Sequence, residues 1–465
     1  MLAKDNQQQP NTNPLGTEPI LHLIGRYAIP TSLTLMVNYL YNIVDQIFVG
    51  QGVGIAGMAA TNVAFPMTIL AIALALLLGD GCAANVSLFL GRKDQETAER
   101  IVSHTMTLLV LFGFGIAVLS FFFAPQIVRL FGATETAFRD SLVYLRTIVF
   151  GLPFLMFSSA LTAMIRADGT PQYTMKCMMV GCAINLVLDP VFIFLCHWGV
   201  FGAGFATVLG QAVTGIGCFW YWKKPKTVRV RKAALRPTRA LTLRILSLGI
   251  PSLCTQLLTA LVQITMNNFM SRYGAQTVYG GDIALSVYGM MMKVYQIAHS
   301  MFVGVSSATQ PIHGYNFGAK QYDRVRQTYG WAVKIGLTIS VAWFLVYQFG
   351  GRWIAALFVS DEPLYLDCAA HVFRIYMAAF FLYGLHMVTA SFLQGIGKPQ
   401  KALCIPVVRQ AVVLIPAAFL LSARFGMDGA LWAAPMADVV VFLVAAALAI
   451  GEFRSWKKQG LGAEV

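Results

Sequence analysis

Long apolar runs, separated by short polar breaks, follow one another from one end of this chain to the other. Twelve of them match or exceed the roughly 18–20 residues that cross the hydrocarbon core of a bilayer as a helix. They are 27–48, 58–90, 103–123, 140–164, 174–196, 201–222, 245–270, 283–312, 327–348, 367–394, 402–421 and 428–451. The two longest predict tilted helices or helices that extend beyond the bilayer. The pattern predicts an all-α polytopic membrane protein of 12 transmembrane helices, with no soluble domain left over. Its expected organisation is a disordered N-terminus over 1–20, a six-helix lobe over 21–222, a basic linker over 223–244, a second six-helix lobe over 245–451 and a tail over 452–465.

An internal repeat sharpens that division. Gly91-Arg92-Lys93 recurs as Gly318-Ala319-Lys320, and Leu130-Phe131 as Leu357-Phe358. Gly169-Thr170-Pro171-Gln172 recurs as Gly397-Lys398-Pro399-Gln400, and Gly199 with Gly202-Ala203 as Gly426 with Gly429-Ala430, all at offsets of 227 or 228. Ala28-Ile29-Pro30 answers Gly249-Ile250-Pro251 at 221. Six spans per half make the halves enter the membrane the same way up. This is a parallel repeat, a design whose transporters bind substrate at or between the halves and work by rocking one against the other.

Composition agrees: 57% of residues are hydrophobic and 12% charged, against about 25% charged in soluble domains. The net charge of +14 could suggest nucleic acid, but Lys and Arg gather in the breaks between apolar runs. Twenty-three lie on the side of the termini and the linker and five on the other. This bias predicts a multi-pass protein of the bacterial cytoplasmic membrane with both termini in the cytoplasm, and a linker that could touch anionic lipid headgroups. The eight cysteines lie mostly inside apolar runs without a CxxC pair and read as small buried hydrophobes. No nucleotide-binding GxxxxGK[ST] loop, HExxH or GxSxG occurs, which argues against direct ATP use, against an intramembrane enzyme and against a cofactor.

Ionisable groups inside the spans are expensive and read as functional by default. The carboxylates are Asp45, Asp80, Asp189 and Asp438. A structural role is expected for Asp80 and Asp438. Asp189 differs, because Asn185 lies four residues before it and shares its helix face, and Pro190 frees a carbonyl one turn earlier. Asp45 lies deep in the first span near Asn38 and Asn42. Two carboxyls with amide and carbonyl oxygens suit Na⁺. In a low dielectric one of them would equally take up a proton. The repeat places Met266 opposite Asp45 and Pro416 or Ala417 opposite Asp189, so the acidic pair belongs to the first half alone. Lys293, His299, Lys334, His386 and Arg409 are expected to be satisfied structural groups, though Lys293 and His299 could face a central cavity.

These residues resemble the multidrug and toxic compound extrusion (MATE) family from about residue 22 to 450. Pro30 with Asn42-Ile43-Val44-Asp45 is similar to the family's first helix, and Asn185-Leu186-Val187-Leu188-Asp189-Pro190 to its fifth. Gln310-Pro311-Ile312-His313-Gly314-Tyr315-Asn316-Phe317-Gly318-Ala319-Lys320 is similar to the signature after its eighth, in the MepA-like bacterial branch. The resemblance implies a cation site, for H⁺ or for Na⁺ as the metal ion, made by Asp45, Asn185, Asp189 and Thr207. A second branch places its acids on helices 7 and 10, where this chain has none within 245–270 or 370–394. The implied function is a monomeric antiporter that exports small organic compounds, often cationic and amphipathic, such as drugs and dyes. The alternative is a lipid-linked oligosaccharide flippase of a related superfamily, which would need a more cationic central cavity.

Overall fold

The computed structural model describes residues 14–53, 55–131, 138–231, 238–358 and 362–460. Within a bilayer core each backbone N–H and C=O must be satisfied inside its own segment, and the apolar runs accordingly form helices, with no strand among the described residues. In chain order the first lobe holds α1 (Ile20–Gly52), α2 (Ile55–Gly91), α3 (Gln95–Phe122), α4 (Phe138–Val149, bent by 50° into Leu152–Ala167), α5 (Pro171–Pro190, running into a π-helical turn at Val191–Leu195) and α6 (Gly199–Tyr221). The second holds α7 (Arg239–Gly274), α8 (Gly281–Gly318), α9 (Tyr322–Ala356), α10 (Pro363–Tyr376, bent by 44° into Phe380–Gly395), α11 (399–425, π-helical over Val407–Leu414) and α12 (427–458). The last two are separated by Gly426, whose φ of 59° and ψ of −133° no helix accommodates.

The repeat is visible in the backbone itself. Lys93 and Lys320 adopt φ of 62° and 60°, Gly169 and Gly397 of 95° and 80°, and Gly199 and Gly426 of 56° and 59°. The motifs that recur in sequence are therefore the left-handed residues that end one span and aim the next. Broken spans also recur, at α4 and α10, in corresponding places of the two halves.

Each lobe has its own buried apolar cluster, one running from Val49 to Ile245 and the other from Val262 to Ala437. The lobes meet where α2 packs along α7 and α1 along α8. Near the pseudo-symmetry axis the repeat mates Gly91 and Gly318 face each other. A Cβ on Gly91 would lie 2.0 Å from the Tyr315 carbonyl oxygen, and one on Gly318 would lie 2.1 Å from that of Leu88. Helix backbones thus touch directly, as small residues permit in membranes. α8 is not apolar enough to pass as a lipid-facing span. It carries Gln310, His313 and Asn316, which are buried because helices of both lobes surround it.

Two expectations are corrected. Residues Pro14–Thr17, assigned to a disordered N-terminus, form a short helix in which Leu15 is buried. Asn316 Nδ2 donates to the Leu15 carbonyl at 2.9 Å, and Gly16 leaves room for the Tyr315 ring. The basic linker is shorter than 223–244, since α7 begins at Arg239 and so takes in Arg244 as a helical residue. The first residues of the linker are clasped to the first lobe by Asp168, whose carboxylate accepts from the N–H groups of Lys226, Thr227 and Val228 at 2.8–3.0 Å and from the Tyr221 hydroxyl at 2.5 Å.

Candidate functional site

The first lobe gathers all four residues of the expected cation site. Asp45 is delivered by α1, Asn185 and Asp189 by one face of α5, and Thr207 by α6. Asp45, Asn185 and Asp189 are buried and Thr207 half-buried. α5 and α6 come close enough for this because Gly210 has no side chain: a Cβ there would stand 3.0 Å from Asn185 Cβ and 2.9 Å from the Gly181 carbonyl oxygen.

The polar contacts form one connected cluster. With its amide turned so that both ends are satisfied, Asn185 donates to Asp189 Oδ2 at 3.0 Å and accepts from the Thr207 N–H at 3.1 Å. The Thr207 hydroxyl donates to the Ala203 carbonyl at 3.0 Å. The carboxyls of Asp45 and Asp189 lie within hydrogen-bonding reach of each other, so the neighbouring charge that bears on Asp189 is a like charge. Two carboxyls so placed oppose each other's ionisation, because both cannot ionise cheaply away from water. The π-helical turn starts directly after Pro190, beside this pair. Such turns recur at functional sites because they displace carbonyls from the regular ladder.

Sequence reasoning missed two members. Tyr41 lies one turn before Asp45 and faces Asp45, Asp189 and Tyr144. Tyr144, on the first segment of broken α4, lies beside Thr207 and close to both carboxyls. The four-residue step from Tyr41 to Asp45 was legible. So was the Gly151-Leu152-Pro153 interruption of the fourth span, since paired interrupted spans mark binding sites in repeat transporters.

Other ionisable residues of the spans lie elsewhere. Asp80 accepts from Ser252 Oγ of the second lobe at 2.7 Å and stands 3.9 Å from Arg166. It lies well inside α2 and belongs to the seam between lobes. Gln394, the repeat mate of Arg166, bonds Ser252 Oγ at 3.1 Å and the Leu248 carbonyl at 2.6 Å. Asn85 and Arg244 exchange two bonds across the same seam. Lys293 and Lys334 are exposed, the latter over the Trp331 ring. Asp438 receives Arg409 Nε at 2.8 Å inside the second lobe.

A family model described as MatE matches residues 30–191 and 251–420, which is most of both lobes. The chain belongs to the MatE family. It is a MATE transporter, similar over 427 residues to the multidrug export protein MepA of Staphylococcus haemolyticus (strain JCSC1435), at 26% identity and 92% coverage of each chain. It is also similar to MepA of Staphylococcus aureus (strain N315), at 23% identity over 92% of this chain and 93% of that one. Among solved structures, a MATE protein in complex with MaL6 superposes with a TM-score of 0.89 at 25% identity, covering 96% of this chain and 99% of that one. An outward-facing multidrug resistance MATE transporter of the MOP superfamily gives 0.87 at 24% identity, covering 95% and 99%. These likenesses agree with twelve spans in two lobes. The bent pairs α4 and α10 each count as one span, Gly426 divides the last long apolar helix into α11 and α12, and α8 completes the set.

Proposed function

We propose that this MATE transporter exports small organic compounds, often cationic and amphipathic, in exchange for H⁺ or Na⁺ bound in the first lobe. The observation that carries this reading is the pair of buried carboxyls, Asp45 and Asp189, brought together with Asn185 and Thr207 in a bilayer-spanning bundle. An acidic pair of this kind gains from any cation that reaches it, and taking up one H⁺ or one Na⁺ changes its net charge by one. The names of the MepA relatives, multidrug export proteins, support drug-like compounds as cargo.

The geometry supports the following cycle. With termini and linker in the cytoplasm, as the charge bias argues, the α2–α7 and α1–α8 seams lie toward the cytoplasm, and the cleft between lobes faces outward. In that state a cation reaches Asp45 and Asp189. It neutralises the pair, relieves the like-charge contact and changes the preferred packing of α1 against α5. α1 is the natural transmitter, because its start packs against α8 in the second lobe while its end carries Asp45 into the first. Opening the cytoplasmic seam then costs the bonds of Asp80, Ser252, Asn85 and Arg244. Cargo enters as the cation leaves inward, and the lobes rock back.

The decisive experiment is efflux of several dyes and drugs from proteoliposomes with the Na⁺ and pH gradients imposed separately. Efflux driven by one gradient and lost in Asp189→Asn supports the reading. Efflux that requires ATP with both gradients clamped would sink it. Orientation is tested by Val230→Cys on a cysteine-free background, which an impermeant reagent added outside intact cells should leave unlabelled.

A further inference from the structure

The second lobe contains a charged cluster that the proposed cycle does not use. Arg409 stands within the π-helical segment of α11 and Asp438 on α12, joined at 2.8 Å with side chains 13% and 4% exposed. The guanidinium carbon lies 5.3 Å above the Tyr383 ring, and the Tyr383 and Tyr295 hydroxyls are 2.6 Å apart. His299 stacks on Tyr295, His386 stands edge-on to Tyr383, and the charge of Arg409 bears on both imidazoles. His386 Nδ1 is buried with no hydrogen-bond partner.

The repeat relates this cluster to the acidic one. At offsets of 228 or 227, Arg409 answers Gly181 or Cys182, on the helix that carries Asn185 and Asp189. Both clusters also abut a broken span and a π-helical segment. The first lobe thus holds an uncharged residue at this place on α5, near two carboxyls, and the second lobe a fixed cation beside one carboxyl.

We infer that Arg409 is a built-in counter-cation, which fills in the second lobe the place that the first lobe leaves to a mobile cation, and so limits the transporter to one coupling site. The inference rests on the proposed coupling at Asp45 and Asp189. Its physical basis is charge balance: a carboxylate held in a low-dielectric bundle must be neutralised, and a tethered guanidinium does so at an effective concentration no free ion matches. Removing it leaves Asp438 with the same need that Asp45 and Asp189 have. Na⁺ at the carboxylate, or a proton on Asp438 or His386, would then supply the missing charge.

The test counts cations on purified protein, by radiolabelled Na⁺ binding and by proton uptake between alkaline and mildly acidic pH. Arg409→Met should take up one cation per molecule beyond wild type. Arg409→Met/Asp438→Asn should lose that gain, and Arg409→Lys should not show it. The Na⁺ and proton arms distinguish the source. Its thermal stability should rise with Na⁺ or with falling pH, by mass action on the folded state, and that dependence should vanish in the double variant. A folded Arg409→Met with the wild-type count overturns the inference. So does an Arg409→Met that stays unfolded at every pH and Na⁺ level while the double variant folds. Wild type whose cation uptake is indifferent to Asp189→Asn would instead sink the coupling reading. The difference between the Arg409 single and double variants still reads the inference on its own.

Discussion

Two lobes built on one plan treat buried charge in opposite ways. In the first, Asp45 and Asp189 approach each other with Asn185, Thr207, Tyr41 and Tyr144 around them, and the charges facing Asp189 and the two tyrosines are acidic. In the second, Arg409 and Asp438 close on each other among tyrosines and histidines. A self-neutralised pair is a finished structure: it contributes to the native state only while both partners remain, and removal of one leaves a stranded charge. A like-charged pair is unfinished without a cation. The comparison teaches that symmetry of fold does not carry symmetry of buried charge: Met266 and Pro416 or Ala417 stand opposite Asp45 and Asp189, and an uncharged residue stands opposite Arg409.

Asp189→Asn should break the contrast most completely. The amide keeps the shape and still bonds Asn185, but removes the ionisable group, so gradient-driven efflux by reconstituted protein should fall to background while yield and thermal stability stay near wild type. Asp45→Asn should do the same, and the double variant should be little worse than either, since both act on one function. Near wild-type coupling in Asp189→Asn would place the coupling ion elsewhere.

Asp438→Asn should fail in the opposite manner. It strands Arg409 in the second lobe, and breaking a buried pair typically costs about 3–5 kcal/mol. The expected result is a large loss of thermal stability in detergent, with whatever protein remains folded still coupled. Sequence alone had placed Asp438 outside the coupling site and in a structural role; the ion pair with Arg409 makes that role heavier than a cap or an interhelical bond. An Asp438→Asn protein as stable as wild type would refute the closed-pair description.

Tyr144→Phe should give a smaller effect. It removes a hydroxyl that lies beside Thr207 and close to both carboxyls, and one neutral polar contact is worth about 1 kcal/mol. The apparent affinity for the coupling ion should fall several-fold with folding retained. Tyr295→Phe in the second lobe, which removes one of two bonded hydroxyls, should leave ion affinity unchanged. Equal responses of the two would erase the distinction between the lobes.

The smallest effect is expected at the linker clasp. Asp168 accepts three backbone N–H groups at the start of the linker, so Asp168→Asn should loosen the segment after Tyr221. Hydrogen exchange there should quicken with ion coupling intact.

Helix number, the two-lobe repeat and the buried acids Asp45 and Asp189 with Asn185 were legible in the sequence for a physical reason, whereas Thr207 came only with the family resemblance. A bilayer imposes a minimum apolar length, a backbone that satisfies itself and a high cost for buried charge, and each constraint leaves a local mark on the chain. Asn185 and Asp189 were readable together because a helix fixes the direction of residues four apart. What the sequence could not carry is which helices meet. Tyr144 joins the acidic site only because α4 bends and brings its first segment against α6. Asp80 and Asp438 looked alike as single buried acids, yet one bonds Ser252 across the lobes and the other locks Arg409 within one. Those partners lie 172 and 29 residues away along the chain, and no local periodicity encodes a contact made by packing. The sequence determined that charge would be buried in this bundle; the tertiary structure decided which of it meets an opposite charge and which meets a like one.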